Sequence, residues 1–124
     1  KHLRINWTEG EKHFRNCLLD FNKANNVAQW QWVAGCGADA APYFRIFNPI
    51  LQGEKFDKEG LYVKRWVPEL DKVPSKFIHK PWEMELKYQE TINTLIGKDY
   101  PKPIVIHEEA RASALSAFQS LKKN

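Results

Sequence analysis

Apolar residues at helical spacing near the start of the chain constrain the fold most. They recur at i, i+3, i+4 and i+7, which is the pattern of one face of an α-helix. These residues are Phe14, Cys17, Leu18 and Phe21. Thr8 followed by Glu11 fits a capping box, so the pattern predicts a first helix that begins near Thr8. Because Cys17 belongs to the apolar face, we expect it to be buried as a small apolar residue.

A second helical pattern follows directly. Asn22 can cap its first turn, and the apolar spacing predicts a helix over residues 23–34. Gly35 and Gly37 come next, and glycine commonly ends a helix because it adopts the left-handed conformation without strain. The sequence therefore predicts two consecutive helices in its first 34 residues.

Proline divides the middle of the chain. Pro42 and Pro49 are seven residues apart, which argues against one long helix, so we expect irregular or short helical structure over 38–56. Asp57 is a plausible N-cap for a helix over 58–67, which the next proline would stop.

The remainder of the sequence predicts an extended loop and two more helices. The loop covers 71–79, and a helix over 81–96 follows, closed by Gly97. Glu108 and Glu109 favour the positive end of a final helix. The total is five helices and no clear strand, so the predicted fold class is all-α.

Composition limits the kinds of partner. The 124 residues suffice for one domain, and no apolar run approaches the ~20 residues that a bilayer requires, so we expect no membrane contact. A net charge of +4 is compatible with a polyanionic partner but does not require one. Two cysteines are too few for a disulfide framework, which favours a reducing compartment and a cytoplasmic protein.

Several chemistries lack their residues. The four histidines are far apart and neither cysteine belongs to a C-x-x-C pair, so no metal site is predicted. The G-x-G at Gly35–Gly37 has no third glycine and no preceding strand, and helix termination explains it better than phosphate binding. None of the serines lies in a G-x-S-x-G setting.

A block rich in amide and aromatic side chains remains between Asp20 and Phe56. Trp30 and Trp32 are two residues apart, so on a helix they point about 200° apart and cannot share one face. One of them could face a ligand cavity, or both could simply pack on neighbouring elements. Amides interspersed with tryptophan suit a planar hydrogen-bonding ligand, such as a base or a flavin.

The sequence of this block is distinctive. Residues 30–49 read WQWVAGCGADAAPYFRIFNP, which closely resembles the signature of class I cyclobutane pyrimidine dimer photolyases. The likeness continues through WTEGE at 7–11, QGEKFD at 52–57, WVPEL at 66–70, HKPW at 79–82 and YPKPIV at 100–105. It therefore covers nearly the whole chain.

The resemblance implies a helical domain that holds FAD and a pocket for a flipped pyrimidine dimer in DNA. In this family light-excited reduced flavin donates an electron to the dimer, the ring splits and the electron returns. Asn26 matches the amide that faces flavin N5, where its carbonyl would accept a hydrogen bond. Asp20, Phe21 and Asn22 match a stretch that contacts the cofactor, although the family usually has an acid where this chain has Asn22.

The same resemblance implies an electron relay and a DNA-binding face. Trp7 and Trp30 match two members of the tryptophan relay to oxidised flavin, although Trp7 could instead be a hydrophobic staple. Trp32 matches a wall of the dimer pocket. Contacts on the DNA side are implied for Arg45, Gln52 and Lys55. Arg45 could alternatively be a buried ion-pair partner, and Lys55 an ordinary solvated charge.

The resemblance also implies what the chain lacks. The family's antenna domain, with its folate or deazaflavin chromophore, and the upstream half of the FAD site have no counterpart in these 124 residues. We therefore expect a partial FAD-binding domain over 1–124 that is inactive alone and could self-associate through its exposed cofactor face. A cryptochrome-like blue-light sensor on the same scaffold is the alternative function.

Overall fold

The computed structural model describes residues 1–38 and 44–122, and within these ranges it is helical without a strand. The α-helices are α1 (Trp7–Cys17), α2 (Lys23–Ala34), α3 (Pro49–Phe56), α4 (Leu61–Trp66), α5 (Leu86–Thr91) and α6 (His107–Lys122), with 3₁₀ turns at Pro68–Leu70 and Pro81–Glu83. The all-α prediction is confirmed. The part of the photolyase-like signature at 39–43 lies outside the described residues.

The chain forms two compact units. Unit 1 comprises Lys1–Ile46 and Val105–Asn124, and unit 2 comprises Phe47–Ile104. Unit 1 therefore contains α1, α2 and α6, and unit 2 contains α3, α4 and α5. No helix in the described ranges is long and apolar enough to cross a membrane.

The start of α1 differs from the predicted capping box. Asn6 is the N-cap, and its Oδ1 accepts hydrogen bonds from the N–H of Thr8 at 3.1 Å and from its hydroxyl at 3.0 Å. Glu11 cannot reach back to a cap because its side chain turns into the interior, where the residue is 5% exposed. The predicted burial of Cys17 is also wrong: α1 ends there, and the thiol is exposed.

Helix α2 agrees with the prediction at both ends. Asn22 Oδ1 accepts a hydrogen bond from the N–H of Asn25 at 2.9 Å, and this satisfies a backbone donor that the first turn leaves unpaired. At the other end Gly35 has φ of +79°, a conformation that costs glycine little. Local capping chemistry therefore sets the length of this helix.

The short-helix alternative applies to the second part of 38–56, where Asn48 caps α3 through hydrogen bonds from the N–H groups of Ile50 and Leu51. The predicted helix over 58–67 is shorter than expected. Its N-cap is Gly60, but Asp57 still satisfies two amides of α4, accepting hydrogen bonds from Tyr62 and Val63 at 3.2 Å each.

The buried apolar core of unit 2 takes two of its four residues from the segment where an extended loop was predicted. Leu70, Val73, Ile78 and Met84 form it, each no more than 4% exposed. The segment over 71–79 consists mainly of turns that fold these side chains together. The prediction of an extended loop is therefore wrong, because apolar residues brought together by consecutive turns show no helical or strand period.

The single helix predicted over 81–96 is also wrong. Met84 has extended backbone between the 3₁₀ turn and α5, and α5 ends at Thr91. Gln89, which is buried, replaces the missing helical hydrogen bonds. Its Nε2 donates to the Met84 carbonyl at 2.8 Å, and its Oε1 accepts from the Ile96 N–H at 2.8 Å.

The final helix is confirmed, with both predicted glutamates in its first turn. Ala114 is buried, and the ring of Phe118 stacks on Phe44 with centroids 4.5 Å apart. His107, at the first residue of α6, lies against His2: Nε2 of His2 is 2.9 Å from Nδ1 of His107. These contacts connect the start of the chain to α6 within unit 1.

Candidate functional site

An open cleft of about 340 Å³ lies in unit 1. It is built by the end of α1, the loop that follows it and one face of α2, and it is lined by Phe14, Leu18, Asp20, Asn22, Asn25, Asn26, Gln29, Trp30 and Val33. Four residues that the sequence singled out therefore share one cleft: Asp20, Asn22, Asn26 and Trp30. Phe21 is part of the same loop but does not line the cleft.

Asn26 is the most unusual member of the cleft wall. It is 6% exposed, and its Nδ2 donates to two oxygens of Glu11, the backbone carbonyl at 3.0 Å and Oε1 at 3.2 Å. Its Oδ1 is buried and has no hydrogen-bond partner in the part of the chain that the structure describes. A buried acceptor without a partner is rare, because its desolvation is not compensated.

Glu11 is anchored from its other side by Arg15. The guanidinium contacts both carboxylate oxygens, with Nη2 2.6 Å from Oε2 and Nε 3.2 Å from Oε1. This two-point geometry is the strong form of an arginine–carboxylate pair. A buried carboxylate thus has a charge partner and also accepts from Asn26. Sequence reasoning assigned Glu11 to a cap and missed this role.

Trp30 is held between α1 and α2. Its indole meets the Phe14 ring edge-on, with centroids 5.1 Å apart and planes inclined by 79°. The indole also lies directly over Gly10, where a β-carbon would be 2.7 Å from Cζ2 of the ring. Gly10 is thus a second residue that sequence reasoning missed, and a glycine inside a helical pattern was the available signal.

A second cleft in unit 1, of about 550 Å³, has Trp7 and Trp30 together in its wall. The remaining lining comes from the first residues of the chain, the end of α2, Phe44 and α6. The two tryptophans that the resemblance assigns to a relay therefore line the same cleft. Trp30 borders both clefts.

Trp32 and Arg45 lie in unit 1 but outside these two clefts. Trp32 is 46% exposed, whereas Trp30 packs against α1, so the two tryptophans face different ways as their spacing predicted. Arg45 is exposed, and its carbonyl accepts a hydrogen bond from the Lys1 ammonium group. The alternative of a buried ion pair assumed burial, which this residue does not have.

Gln52 and Lys55 belong to unit 2, on α3, and both are exposed. Lys55 Nζ lies 5.1 Å from the centroid of the Phe56 ring. Helix α3 itself is closely packed. His79 lies against Gly53, and the Nε2 atom of His79 is 2.7 Å from the Asp57 carbonyl oxygen. The four residues predicted to contact DNA are thus divided between the two units.

The first cleft has the chemistry that a flavin ring requires. Its aromatic wall comes from Phe14 and Trp30, and its polar residues include Asp20, Asn22 and Asn26, whose buried Oδ1 has no hydrogen-bond partner within 1–38 and 44–122. A ring N–H directed at that oxygen would satisfy it. The residues present therefore fit the flavin part of FAD.

Known proteins are similar to this chain in sequence and fold. The family model of the FAD-binding domain of DNA photolyase matches residues 1–120. The chain is 57% identical to the deoxyribodipyrimidine photo-lyase of Agrobacterium fabrum, over 99% of this chain and 26% of that protein. It is 50% identical to the deoxyribodipyrimidine photo-lyase of Escherichia coli, over 99% of this chain and 25% of that protein.

Solved structures agree. A class III photolyase from Agrobacterium tumefaciens superposes with a TM-score of 0.91 at 56% identity, over all of this chain and 26% of that one. A cryptochrome from Synechocystis sp. PCC6803 superposes with a TM-score of 0.84 at 35% identity, over 91% of this chain and 23% of that one. The chain spans about a quarter of the length of these relatives. It belongs to the family of FAD-binding domains of DNA photolyases.

Proposed function

We propose that this chain holds the flavin ring of FAD in the cleft between α1 and α2, as part of an enzyme that uses light to repair cyclobutane pyrimidine dimers in DNA. The observation that carries the proposal is Asn26, a buried residue that lines a cleft with aromatic sides and whose Oδ1 has no hydrogen-bond partner among the described residues. When bound, FAD supplies the light-driven electron donor.

The chain's own residues have separate tasks in this proposal. Asn26 would accept a hydrogen bond from a bound flavin ring and so favour its reduced form. Asp20 and Asn22 provide polar contacts at the mouth of the cleft. Trp7 and Trp30 would supply electrons to a bound, oxidised flavin, and their positions in the wall of one cleft support this role.

DNA binding is assigned to exposed groups. Arg45 and Lys55 would neutralise phosphates, and Gln52 would contact the backbone near the dimer. Trp32 would stack on the flipped base, which is the contact expected where an enzyme extrudes its target from the duplex. The exposure of all four residues is compatible with these roles.

A blue-light sensor is the second candidate, because the chain also resembles a cryptochrome. Asn26 at the flavin and Trp32 at the DNA-facing position favour repair over sensing. The class I assignment stays a prediction, since the solved structure at 56% identity is a class III photolyase.

Cofactor binding is tested first. The purified chain is incubated with FAD, passed through gel filtration and examined by visible absorption. We expect a retained flavin band with vibrational structure, lost in Asn26→Leu and kept in the control Asn16→Leu, which alters an exposed residue of α1. Equal retention by both variants would remove Asn26 from the site, and no binding by the unaltered chain would show that these residues do not suffice.

Repair is tested in a complete enzyme. The 124 residues replace the matching segment of the Escherichia coli deoxyribodipyrimidine photo-lyase, to which they are 50% identical. We expect light-dependent loss of dimers from DNA, and weaker binding of dimer-containing DNA by Trp32→Ala. In the same hybrid, Trp30→Phe should slow light-driven reduction of oxidised FAD. A hybrid that binds FAD and dimer DNA but never repairs would favour the sensor.

The 124 residues alone are a different case. We propose that they do not repair DNA, because the relatives that do are about four times as long. Phe14 and Leu18, each 42% exposed, border the cleft and support self-association of the isolated chain through this face. Sedimentation of the chain with and without FAD tests this expectation.

A further inference from the structure

We propose that Gly10 is a positioning residue for electron transfer. Because Gly10 has no β-carbon, the indole of Trp30 can lie against the backbone of α1, where it borders both clefts of unit 1. The inference rests on the proposed function in one respect, which is that Trp7 and Trp30 supply electrons to a bound flavin. It goes beyond that function by naming the residue that sets where Trp30 lies.

One face of α1 forms a notch for the tryptophan. Trp7, Gly10 and Phe14 are separated by three and then four residues, so they follow one another along the same face of the helix. Gly10 is the member without a side chain, and the Trp30 ring lies over it. Phe14 meets that ring edge-on, with centroids 5.1 Å apart. Trp30 therefore crosses α1 at the gap that the glycine leaves between two aromatic residues.

This placement makes Trp30 the connection between the two clefts. Trp30 shares the wall of the first cleft with Asn26 and the wall of the second with Trp7. Among the residues that the structure describes, Trp7 lines the second cleft and not the first. An electron from Trp7 would therefore reach a flavin in the first cleft through Trp30.

Each transfer moves one electron. Trp30 would give one electron to a bound, oxidised flavin under light and would take one from Trp7. An added thiol would replace the electron that the relay has lost, so the thiol is oxidised and the flavin is reduced. A flavin that is already reduced does not need the relay, because it can donate to the dimer directly.

A side chain at position 10 would displace the indole. A β-carbon there would be 2.7 Å from Cζ2 of the Trp30 ring. Because carbon atoms in contact lie about 3.5–4.0 Å apart, the two groups would have to separate by roughly 1 Å. Gly10 lies within a helix whose hydrogen bonds hold the backbone in place, so the ring is the part that yields. The displacement changes the position of Trp30 relative to Trp7 and to the first cleft.

The position of Trp30 is tested in the hybrid enzyme described above, with oxidised FAD and a thiol under light. The rate at which the absorption of the oxidised flavin falls is measured. We expect Gly10→Ala to slow it at least about fivefold, since misplacing reacting groups by about 1 Å costs up to about a hundredfold in rate. Repair of dimers by the same variant, after chemical reduction of FAD, should fall by a clearly smaller factor. Equal factors would indicate a general defect and would overturn the proposal.

Gly53 provides a matched control in unit 2. It also lies within a helix against an aromatic ring, and a β-carbon there would be 2.7 Å from Cγ of His79. Gly53→Ala should therefore destabilise the protein in urea as Gly10→Ala does, whereas light-driven reduction of FAD should keep the rate of the unaltered hybrid. If Gly53→Ala slows reduction as much as Gly10→Ala, destabilisation explains the effect and Gly10 has no positioning role.

A folding failure is covered by a second measurement. If Gly10→Ala does not fold, contacts in the unaltered protein decide the matter, because nuclear Overhauser effects must join the α-protons of Gly10 to the indole protons of Trp30. Their presence supports the notch, and their absence overturns it.

Trp30→Phe separates this inference from the proposed function. If Trp30→Phe leaves light-driven reduction unchanged, the relay itself fails, and the role of Gly10 fails with it. If Trp30→Phe slows reduction and folded Gly10→Ala does not, the relay stands and only the positioning role of Gly10 is overturned.

Discussion

Gly10 in α1 lies so close to the Trp30 indole in α2 that a β-carbon at residue 10 would be 2.7 Å from Cζ2 of the ring. Replacing glycine by alanine inside a helix normally stabilises it by about 0.5–1 kcal/mol. Here a clash with a packed ring opposes that gain, and overpacking costs about 1–3 kcal/mol. The contact therefore reverses the usual sign.

We predict that Gly10→Ala lowers the free energy of unfolding by about 1–2 kcal/mol, measured by urea denaturation. Gly10→Ala should cost less free energy of unfolding when it is added to Trp30→Phe than when it is added to the unaltered chain, since the smaller ring leaves room for the methyl group. Lys12→Ala, at an exposed position of the same helix, is the control. A stabilised Gly10→Ala would show that the indole moves away without cost.

Gln89 satisfies two backbone groups where α5 departs from a continuous helix. We predict that Gln89→Leu lowers the free energy of unfolding by about 2–4 kcal/mol, because the Met84 carbonyl and the Ile96 N–H both lose their partner. Gln89→Glu should also lower the free energy of unfolding, since it still accepts from Ile96 but its ionised carboxylate cannot donate to the Met84 carbonyl. Lys87→Leu, exposed on the same helix, should change stability by no more than about 0.5 kcal/mol. Equal losses in both leucine variants would contradict this account.

Asp57 gives unit 2 a dependence on acidic pH. Partial burial acts to raise its pKa, but hydrogen bonds from the Tyr62 and Val63 amides and the nearby His79 outweigh it, and the pKa lies below the ordinary 3.8. A carboxyl whose pKa is lower in the folded chain than in the unfolded chain stabilises the fold at pH values above the unfolded pKa. That stabilisation is lost as the pH falls through the folded pKa. Thermal unfolding should therefore depend more steeply on pH below about 4 in the unaltered chain than in Asp57→Asn. Parallel curves would assign the acid sensitivity to other carboxyls.

His2 gives unit 1 a separate dependence near neutral pH. Burial lowers the pKa of His2 below 6.5, and the neighbouring His107 lowers it further. The neutral ring is thus favoured in the folded chain, and its stabilisation is present above pH 6.5 and lost as the pH falls through the lowered pKa. NMR titration of the His2 ring should give a midpoint below 6.5. In His107→Gln the midpoint should rise but stay below 6.5, because burial remains. A midpoint of 6.5 or above in the unaltered chain would contradict the lowered pKa of His2.

The accuracy of the sequence predictions depended on the range of the interactions involved. Helix α2 was predicted over its full length because Asn22 and Gly35 act on backbone groups within a few residues. Glu11 was misjudged and Gln89 was missed, because their partners come from other turns or helices, and only the folded chain shows that their polar groups are buried. Interactions between residues close in the sequence can be predicted from it, whereas burial of a polar side chain depends on how the helices pack.

The same limit applies to the candidate site. The resemblance to photolyases named Asn26, and the fold showed which way its amide points and what holds it. Trp30 was identifiable by its spacing from Trp32, but its contact with Gly10 requires the crossing of α1 and α2. Neither the roles assigned to the site residues nor the DNA contacts follow from geometry alone, and they stay predictions.

The two units differ in what fills their interiors. Unit 2 buries four large apolar side chains together, whereas the buried residues described in unit 1 are Glu11, Asn26 and Ala114. A planar aromatic molecule in the cleft would supply apolar contacts that the side chains of unit 1 do not make among themselves. Such a cofactor would stabilise the fold as well as take part in the reaction. It would add about 2.7 kcal/mol to the free energy of unfolding when its concentration is a hundred times its dissociation constant. Without it, unit 1 should be the first part of the chain to melt.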